Sequence, residues 1–522
     1  MKKNLFLLMP VLFLLPSCSK GGFTDSVSGN SSSKVNNNFV DVFSSPSLKN
    51  SEEYLTFWNN ESVIKISLRF KKESLQGIEE CGVSNSIYQD YYFPCDMSLT
   101  VNDKNYEFKE VGARRKGNLS RNDDFAKGRI HYKLSFQETF DEDFYRDRYP
   151  SLYVDWTGKD DLKKEREDRT LFDMEKIDLK WNRNQDETYL RQNYTNHIFS
   201  RAGVIASNTA FGIVNIYSDD HLNVAYEPYD IIECIDKVKI KRYFTKEASK
   251  GDLYKLSYNG TGKVDFRKET SLIKNNDGYT INSQYVGKED CEKGYHPPYD
   301  LKTNKKTSTH EDLIKFIATL NDDTRSSDEF ESTLESLVDL RYTAKYLTYS
   351  WAVGDPDDLR CNYNNSYIYF DSVNHRAYLI PYDHDRSLGV TKDGAGLLPS
   401  KRMTTTKCTG YSGDSYQTNP LFYRTCIISH PGDTNINNLS KKYKVSTVSL
   451  EYIKEELLGI KNGDLFKTES FDSYLANNGL LKFLNTMIDS NTKNSDSGNN
   501  SYSEYYSNLL KMIEEDNSYL FA

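Results

Sequence analysis

The segment that is most informative about the fold is Trp351–Gly389, with the sequence WAVGDPDDLRCNYNNSYIYFDSVNHRAYLIPYDHDRSLG. It passes from acidic residues through a run of asparagines into two strand-like stretches, Tyr367–Phe370 and Arg376–Tyr382, which predict a β-hairpin. Asp383 and Asp385 come just after the second stretch. Carboxylate and amide oxygens are hard ligands that suit Mg²⁺, an ion that proteins usually share with phosphates. The segment therefore predicts a hairpin flanked by metal-ligating side chains.

The polar residues of this segment follow the order of the parts in a phosphoryl-transfer site. Such a site needs a carboxylate at the acceptor hydroxyl, a metal ion on the phosphates and a cation on the nucleotide. Protein kinases place a metal-binding Asn five residues after the catalytic Asp, and a metal-binding Asp follows later. Asp357, Asn362 and Asp383 have this order, although the HRD and DFG signatures are absent. A calcium site and a solvated acidic loop are the alternatives, and the loop lacks the Gly and terminal Glu of an EF-hand.

Composition and motifs exclude several classes of function. The 522-residue chain has a formal net charge of −9 and no long basic run, so nucleic acid is a poor candidate partner. Hydrolase signatures such as GxSxG and HExxH are absent. The eight cysteines include no close CxxC pair, and a zinc site is therefore not expected. The pairs nearest in sequence are Cys81–Cys95 and Cys408–Cys426, but spacing does not determine the disulfide pattern.

Residues 1–18 predict a lipoprotein signal peptide. Two lysines precede the apolar run Leu5–Leu15, which is too short for an ordinary membrane span, and Cys18 ends it. The ending resembles a bacterial lipobox, with Pro16 where a small or aliphatic residue is usual; an ordinary signal peptide with an incidental Cys is the alternative. Residues 19–44 are rich in Gly, Ser and Asn and predict a flexible linker. We therefore expect a lipid anchor on Cys18 and a location in the cell envelope, on the extracytoplasmic side of a membrane.

The remaining chain predicts an α+β fold, because strand patterns come first and helical patterns later. Residues 45–260 contain most of the alternating stretches, and residues 261–522 are mainly helical, with helices expected over Glu311–Leu320 and Ser327–Ala352. A basic turn, Gly112–Arg121, follows the early strands. Glycine lets the backbone approach an anion and guanidinium groups match phosphate oxygens. This turn is a candidate phosphate-contacting loop, with a solvated turn as the alternative.

These pieces, taken in order, resemble the CotH-type kinase family, the family of spore coat protein H. Each piece is weak by itself, but seven occur in the family's order over roughly residues 60 to 430. The pieces are VGARRKGNLSR (111–121); YKLSF (132–136); DLK (178–180) with LR (190–191) and AGV (202–204); Glu233 with Asp236; LYK (253–255); Asp357 to Tyr369; and PYDHDRSLG (381–389).

The resemblance implies an atypical protein-kinase-like fold, with a β-rich N-terminal lobe over residues 45–260 and a mainly helical C-terminal lobe over residues 261–522. It implies transfer of the γ-phosphate of ATP to Ser or Thr of surface or coat proteins, with Mg²⁺, or Mn²⁺, as the metal. The residues carried over by position are Asp357 as catalytic base; Asp383 as main metal ligand; Asn362 or Asn365 as second ligand; Lys133 or Lys180 on the phosphates, with Lys255 as a further candidate; Arg115, Gly117 and Asn118 on the phosphate-facing loop; and Glu233 and Asp236 near the adenine or ribose.

Departures from the family pattern leave two questions open. Lys116 is inserted between Arg115 and Gly117, which changes the register of the basic loop. Asp355 and Asp358 flank Asp357, and either could be the base instead. Two other functions also remain: a catalytically silent surface-assembly or binding lipoprotein with the same fold, and a kinase that acts on a sugar or an envelope polymer.

Overall fold

Alternation of buried and exposed side chains closes the strands of the N-terminal part into a barrel. In Ile64–Phe70, for example, every second side chain is buried. The barrel strands are β1 (Ile64–Phe70), β2 (Phe93–Val101), β3 (Lys104–Arg115), β4 (Tyr132–Ser135), β5 (Lys176–Trp181), β6 (Thr209–Ser218) and β7 (Asn223–Glu233). Their order is β1-β2-β3-β4-β5-β7-β6, and all neighbours are antiparallel except β1 and β6, which are parallel.

The structure is a computed structural model. It describes residues 39–59, 63–117, 119–123, 130–182, 191–219, 223–258, 262–389, 419–426, 444–477 and 506–514. All of these residues belong to one compact unit, Val35–Ala522. The predicted lipid-anchor residue Cys18 and residue Asn118 of the basic loop lie outside the described residues.

A second sheet contains the predicted hairpin. Its strands are β8 (Leu253–Leu256), β11 (Val286–Gly287), β12 (Tyr299–Leu301), β13 (Ser366–Phe370) and β14 (Ala377–Pro381), while β9 (Leu272–Asn275) pairs with β10 (Gly278–Ile281) apart from it. The order of the larger sheet is β11-β12-β8-β13-β14. Every residue of β13 and β14 is buried, as expected for strands covered on both faces. The hairpin prediction is confirmed.

Helices occur among the barrel strands and make up most of the described structure after β12. The described helices are α1 (Glu52–Trp58), α2 (Lys72–Cys81), α3 (Asp143–Arg148), α4 (Asp160–Glu167), α5 (Arg191–Arg201), α6 (Lys237–Tyr243), α7 (Lys268–Ser271), α8 (Glu311–Leu320), α9 (Ser327–Leu337), α10 (Leu340–Val353), α11 (Leu359–Asn362), α12 (Pro420–Thr425), α13 (Thr447–Asn462), α14 (Thr468–Asn477) and α15 (506–514). The helix predicted over Ser327–Ala352 is in fact two, because Val338 is extended and Asp339 caps a new helix by accepting from the Tyr342 N–H.

Two hydrophobic clusters form the core of the described chain. One lies in the barrel and contains Leu68, Ile177 and Leu179; the other contains Leu347 of α10 and Ile368 of the hairpin. The mixture of sheets and helices confirms the α+β class. The division into two kinase-like lobes stays a prediction, and β8, which precedes the predicted boundary at residue 260, pairs with β12 and β13 of the second sheet.

The described cysteines correct the pairing considered from the sequence. Cys81, Cys95 and Cys426 are buried free thiols, so neither of the two pairs nearest in sequence is formed. Cys361, on α11, is disulfide-bonded. Sequence proximity failed because a disulfide needs two Cβ atoms to meet in space, which tertiary packing decides. Within the described ranges, every helix falls short of the length and apolarity that a bilayer crossing demands.

Candidate active site

Strand β5 presents two charged side chains from the same face. Asp178 and Lys180 are two residues apart and so point the same way, whereas Ile177 and Leu179 belong to the barrel core. Asp178 is 1% exposed and Lys180 is 4% exposed. Charged groups at this depth need partners of opposite charge, because burial removes their hydration. The partners of each one define the candidate site.

Lys180 binds the aspartate pair that follows the hairpin. Its Nζ contacts Asp383 Oδ1 and lies 2.8 Å from Asp385 Oδ2. Although burial opposes it, the charge of Lys180 lowers the pKa of Asp383 well below its ordinary range; burial raises the pKa of Asp385. Asp383 also has a φ of +63°, a costly conformation for a residue with a side chain. The structure therefore brings together two residues that are predicted for different tasks, and holds one of them in a strained backbone.

Asp178 binds two lysines at once. Its carboxylate lies 2.8 Å from Lys116 Nζ and 2.6 Å from Lys133 Nζ, and it accepts a hydrogen bond of 3.2 Å from the Tyr382 hydroxyl. Lys116 also donates to the Tyr382 oxygen at 2.8 Å. Burial works against ionisation, but the two lysines hold the pKa of Asp178 far below its usual range. One carboxylate cannot neutralise two cations, so this corner retains positive charge.

Lys255 adds a third cation to this corner. Its Nζ is 5.8 Å from the centroid of the Tyr382 ring, and Lys116 Nζ is 5.3 Å from the same ring. Within the described ranges, no carboxylate forms an ion pair with Lys255. Burial, together with repulsion from Lys302 and Lys116, lowers the pKa of Lys255 to about 8. We call Lys116, Lys133, Lys255 and Asp178 the cationic corner.

Asp357 is the acid of the Asp-rich loop that has only side-chain amides as its described partners. It accepts hydrogen bonds from Asn362 Nδ2 at 2.5 Å and from Asn364 Nδ2 at 3.4 Å. Burial raises the pKa of Asp357 to about 6, against these hydrogen bonds, and the charges of Asp355 and Asp383 contribute to the rise. Asp355 links the two loops, because its carboxylate contacts both the Asp357 N–H and Nδ1 of His384, the residue after Asp383.

The two alternative bases hold the loop in place. Asp355 is fully buried; one oxygen accepts the Asp357 N–H at 2.9 Å and the other lies 3.1 Å from His384 Nδ1. Asp358 caps α11 by accepting the Cys361 N–H at 2.7 Å, and it pairs with Arg360 at 3.2 Å. Both carboxylates therefore have structural partners on the backbone, and Asp355 joins the acidic loop to the loop that carries Asp383.

The two candidate asparagines lie at different points of this loop. Because the side-chain N–H of Asn362 donates a hydrogen bond to Asp357, the amide oxygen of Asn362 is the atom that can serve as a metal ligand. Asn365 has a φ of +51°, and its backbone carbonyl accepts the Tyr382 N–H at 3.1 Å. Asn362 is directly joined to Asp357, whereas Asn365 closes the base of the hairpin.

The basic loop contributes a different residue from those predicted. Arg121 donates to the Gly117 carbonyl at 2.8 Å and to the Arg115 carbonyl at 3.1 Å, and Arg115 donates back to the Arg121 carbonyl. Gly117 has a φ of +97°, and a Cβ there would lie 2.0 Å from Ser120 Oγ. Arg115 and Gly117 therefore shape the loop, while Lys116 is the loop residue that reaches Asp178.

Of the remaining predicted residues, Lys133 lies in the cationic corner and the two acids near the end of β7 do not. Glu233 is 2% exposed, accepts from the Tyr54 hydroxyl at 2.8 Å and pairs with Lys239 at 2.6 Å. Asp236 caps α6 by accepting the N–H groups of residues 238 and 239. In the contacts of the described residues, these two acids serve the packing of α1 and α6 against the barrel.

Sequence reasoning missed Asp178, Lys116 and Tyr382. Alternation within IDLKW does place Asp178 on the face of Lys180, and this signal was available. Lys116 is an insertion relative to the family pattern, and its partners Asp178 and Tyr382 are distant from it in the sequence. The residues that neighbour Lys116 in the sequence do not predict these contacts.

Comparison with known proteins gives one family. Residues 145–432, more than half of the chain, match the family model described as CotH kinase protein. The matched region includes Lys180, Asp357 and Asp383 and begins after Lys116 and Lys133. A search of curated proteins finds no match.

Proposed function

Since the chain belongs to the CotH kinase family, we propose that it is an exported, lipid-anchored kinase that transfers the γ-phosphate of ATP to Ser or Thr of surface or coat proteins. One observation carries the proposal. The two charged residues on one face of β5 bind regions of opposite net charge, and both regions meet at Tyr382 and Asp383, which are adjacent in sequence.

The charge distribution fits a nucleotide polyphosphate with a cation. Around Asp178, Lys116 and Lys133 outnumber the carboxylate, and Lys255 lies nearby, so phosphate oxygens would find ammonium donors there. Around Lys180, two carboxylates outnumber one lysine. The charge of Lys116 also lowers the pKa of Asp383, although burial and Lys180 are larger influences. The two regions are therefore close enough to act on the two ends of one ligand.

The residues present also fit a hard divalent ion. Asp383 and Asp385 offer carboxylate oxygens, and Asn362 offers an amide oxygen, with Asn365 as the alternative. Mg²⁺ held by these groups would neutralise charge on the phosphates during transfer. Lys180 forms ion pairs with both aspartates and would help to hold them in place before the ligand binds.

Asp357 is the residue that we propose acts on the acceptor. A pKa of about 6 leaves its carboxylate ionised at neutral pH yet basic enough to accept a hydroxyl proton. The amides of Asn362 and Asn364 restrict its orientation, and Asp355 holds its backbone. The chain would thus align a Ser or Thr hydroxyl, receive its proton at the Asp357 carboxylate, and bind the phosphates at the cationic corner.

The disulfide at Cys361 supports the extracytoplasmic part of the proposal, because disulfides persist in oxidising compartments. The predicted signal peptide at residues 1–18 supports it independently.

Phosphate transfer tests the proposal directly. Purified protein is incubated with labelled ATP and Mg²⁺ or Mn²⁺, alone and with a surface-protein extract, and phosphoserine and phosphothreonine are located by mass spectrometry. We expect transfer that Asp383→Asn abolishes and that Asp161→Asn, on the exposed helix α4, leaves intact. Absence of any phosphoprotein, combined with unchanged nucleotide binding in Asp383→Asn, would refute it.

A further inference from the structure

A tight turn outside the proposed kinase site gathers three side chains of metal-ligating type. Asp290 and Tyr295 pair through two backbone hydrogen bonds of 2.9 Å and 2.8 Å, and Gly294 turns the chain with a φ of +65°. Glu289 and His296 flank this pair and face each other, since residues next to a bridge in antiparallel strands are opposite. Cys291 begins the short 3₁₀ turn between them. The backbone itself thus brings an E-x-C-x₄-H sequence into a cluster.

The ligand atoms are close enough to share one ion. One atom each from Glu289, Cys291 and His296 lies within 4.8 Å of the other two. His296 Nδ1 is 2.9 Å from Glu289 Oε1, and Cys291 Sγ is 3.0 Å from Asp90 Oδ2. Both contacts are hydrogen bonds, in which a proton stands between the two ligand atoms. Metal ions commonly replace such protons when a thiol and an imidazole become ligands.

We propose that Glu289, Cys291 and His296 form a Zn²⁺ site. A thiolate, an imidazole and a carboxylate are the donors that Zn²⁺ accepts at about 2.0–2.3 Å in tetrahedral sites, whereas Mg²⁺ disfavours sulfur. Asp90 Oδ2, 3.0 Å from the sulfur, is an oxygen that could take the fourth position. The site is separate from the predicted Mg²⁺ ligands and does not depend on the proposed kinase activity.

Two cations contact one oxygen each of Asp90 and Glu289, so the other oxygen of each carboxylate could bind the ion. Arg114 Nη1 lies 2.7 Å from Asp90 Oδ1, and Lys302 Nζ lies 3.7 Å from Glu289 Oε2. These cations contact the outer oxygen of each carboxylate, and the inner oxygens face Cys291 and His296. Such second partners hold ligating carboxylates in place.

Gln89 completes the outer shell. Its amide is 3.3 Å from Cys291 Sγ and 3.4 Å from His296 Nε2, so it contacts both the sulfur and the second ring nitrogen. Gln89 and Asp90 belong to the segment that follows α2, and Tyr91 from the same segment donates to Glu292 at 2.7 Å. Zn²⁺ would therefore fasten two chain segments that lie about 200 residues apart.

The cysteine pattern does not predict this site, because sequence signatures of zinc sites rely on closely paired cysteines. A single Cys with a His and a Glu has no distinctive spacing. The cluster becomes visible only when the bridge between Asp290 and Tyr295 closes the turn.

Metal titration of the full protein tests the inference. Protein treated with a chelator is dialysed against Zn²⁺ and the bound metal is counted by mass spectrometry. We expect one Zn²⁺ whose affinity falls at least about 100-fold in Cys291→Ser and in His296→Ala, because losing even an outer-shell partner costs about 10–100-fold. Glu292→Gln, which changes a neighbouring acid of the same turn, is the matched control and should keep the site. Asp383→Asn should also keep it.

Cobalt provides a second measurement that needs no variant. Co²⁺ added to the wild-type protein should give a sulfur-to-metal charge-transfer band if Cys291 is a ligand. A missing band, failure to bind Zn²⁺, or equal Zn²⁺ affinity in wild type, Cys291→Ser and His296→Ala would each overturn the inference.

Discussion

At the scale of single residues, the three neighbouring aspartates of the acidic loop differ in what they hold. Asp355 accepts the N–H of Asp357 and binds His384, and Asp358 caps α11. Asp357 has amide partners and lies in reach of the charge of Asp383. Asp355 and Asp358 therefore have structural partners, and Asp357 is the acid of the three that we propose as the base.

Replacing one acid at a time separates these roles. Asp357→Asn should lower kcat by about 10²–10⁴-fold, the usual contribution of a general base, with little loss of stability because a buried charge is removed. Asp358→Asn is the matched control: it removes the charged partner of Arg360 and should cost about 1–3 kcal/mol of unfolding free energy with a smaller change in kcat. Steady-state kinetics and urea unfolding measure both. The opposite ranking of kcat would identify Asp358 as the base.

Two titrating residues predict the pH dependence. In the proposed mechanism Asp357 acts in its ionised form, so kcat/KM for ATP and acceptor should fall as the pH drops through about 6. The proposed role of Lys255 requires its protonated form, so the same quantity should fall as the pH rises through about 8. A pH profile of wild type should therefore be bell-shaped. Lys255→Met should raise KM for ATP and remove the alkaline limb while keeping the acidic one; an unchanged alkaline limb would exclude Lys255 from that role.

At the scale of elements, β5 is the strand that the site depends on. Its alternation sends Ile177 and Leu179 into the barrel and Asp178 and Lys180 to the site. The hairpin then supplies Tyr382 and Asp383 to meet them. A barrel strand and a hairpin from the second sheet thus build one site.

Substitution of Asp178 tests how strongly the stability of this arrangement depends on the buried carboxylate. Asp178→Asn leaves Lys116 and Lys133 buried without their shared carboxylate, and the loss of one partner from a buried ion pair costs about 3–5 kcal/mol. Chemical denaturation should show a loss of this size. Asp161→Asn, on exposed α4, should change stability by less than about 0.5 kcal/mol. Equal stability of the two variants would show that Asp178 does not carry this load.

At the scale of the whole molecule, the candidate site takes its residues from both the barrel and the second sheet. Lys133, Asp178 and Lys180 come from the barrel, and Lys255 and Asp383 come from or follow strands of the second sheet. A ligand that contacts both groups would connect the two parts of the described chain. Binding to the native state alone would then stabilise the entire unit.

A thermal-shift measurement tests this connection. Mg-ATP at about 100 times its Kd should add about 2.7 kcal/mol to the unfolding free energy and raise Tm. Mg²⁺ alone is the control for the metal, and Asp383→Asn should abolish the increment due to the complex. A shift without any phosphate transfer would favour the catalytically silent alternative, whereas no shift at any nucleotide concentration would argue against a nucleotide site.

Local features of this protein could be predicted from its amino-acid order. The hairpin, the aspartates that follow it and the Asn five residues after Asp357 depend on short-range rules, since strand period and turn chemistry act over a few residues. The ordered motifs also identified the family. The helix break at Asp339 is a local feature as well, and its capping signal was available in the sequence.

Which charged residues contact each other depends on how the whole chain folds. Lys180 and Asp383 are 203 residues apart, and Lys116 and Tyr382 are 266 apart. Contacts over such separations follow from strand order and from the packing of one sheet beside another, which local propensity does not encode. For the same reason, three other features could be recognised only in the folded chain. They are the free thiols of Cys81 and Cys95, the contacts of Glu233 with structural partners, and the cluster of Glu289, Cys291 and His296. The segment Trp351–Gly389 contains Tyr382 and Asp383, and strand β5 provides the residues that they contact, Asp178 and Lys180.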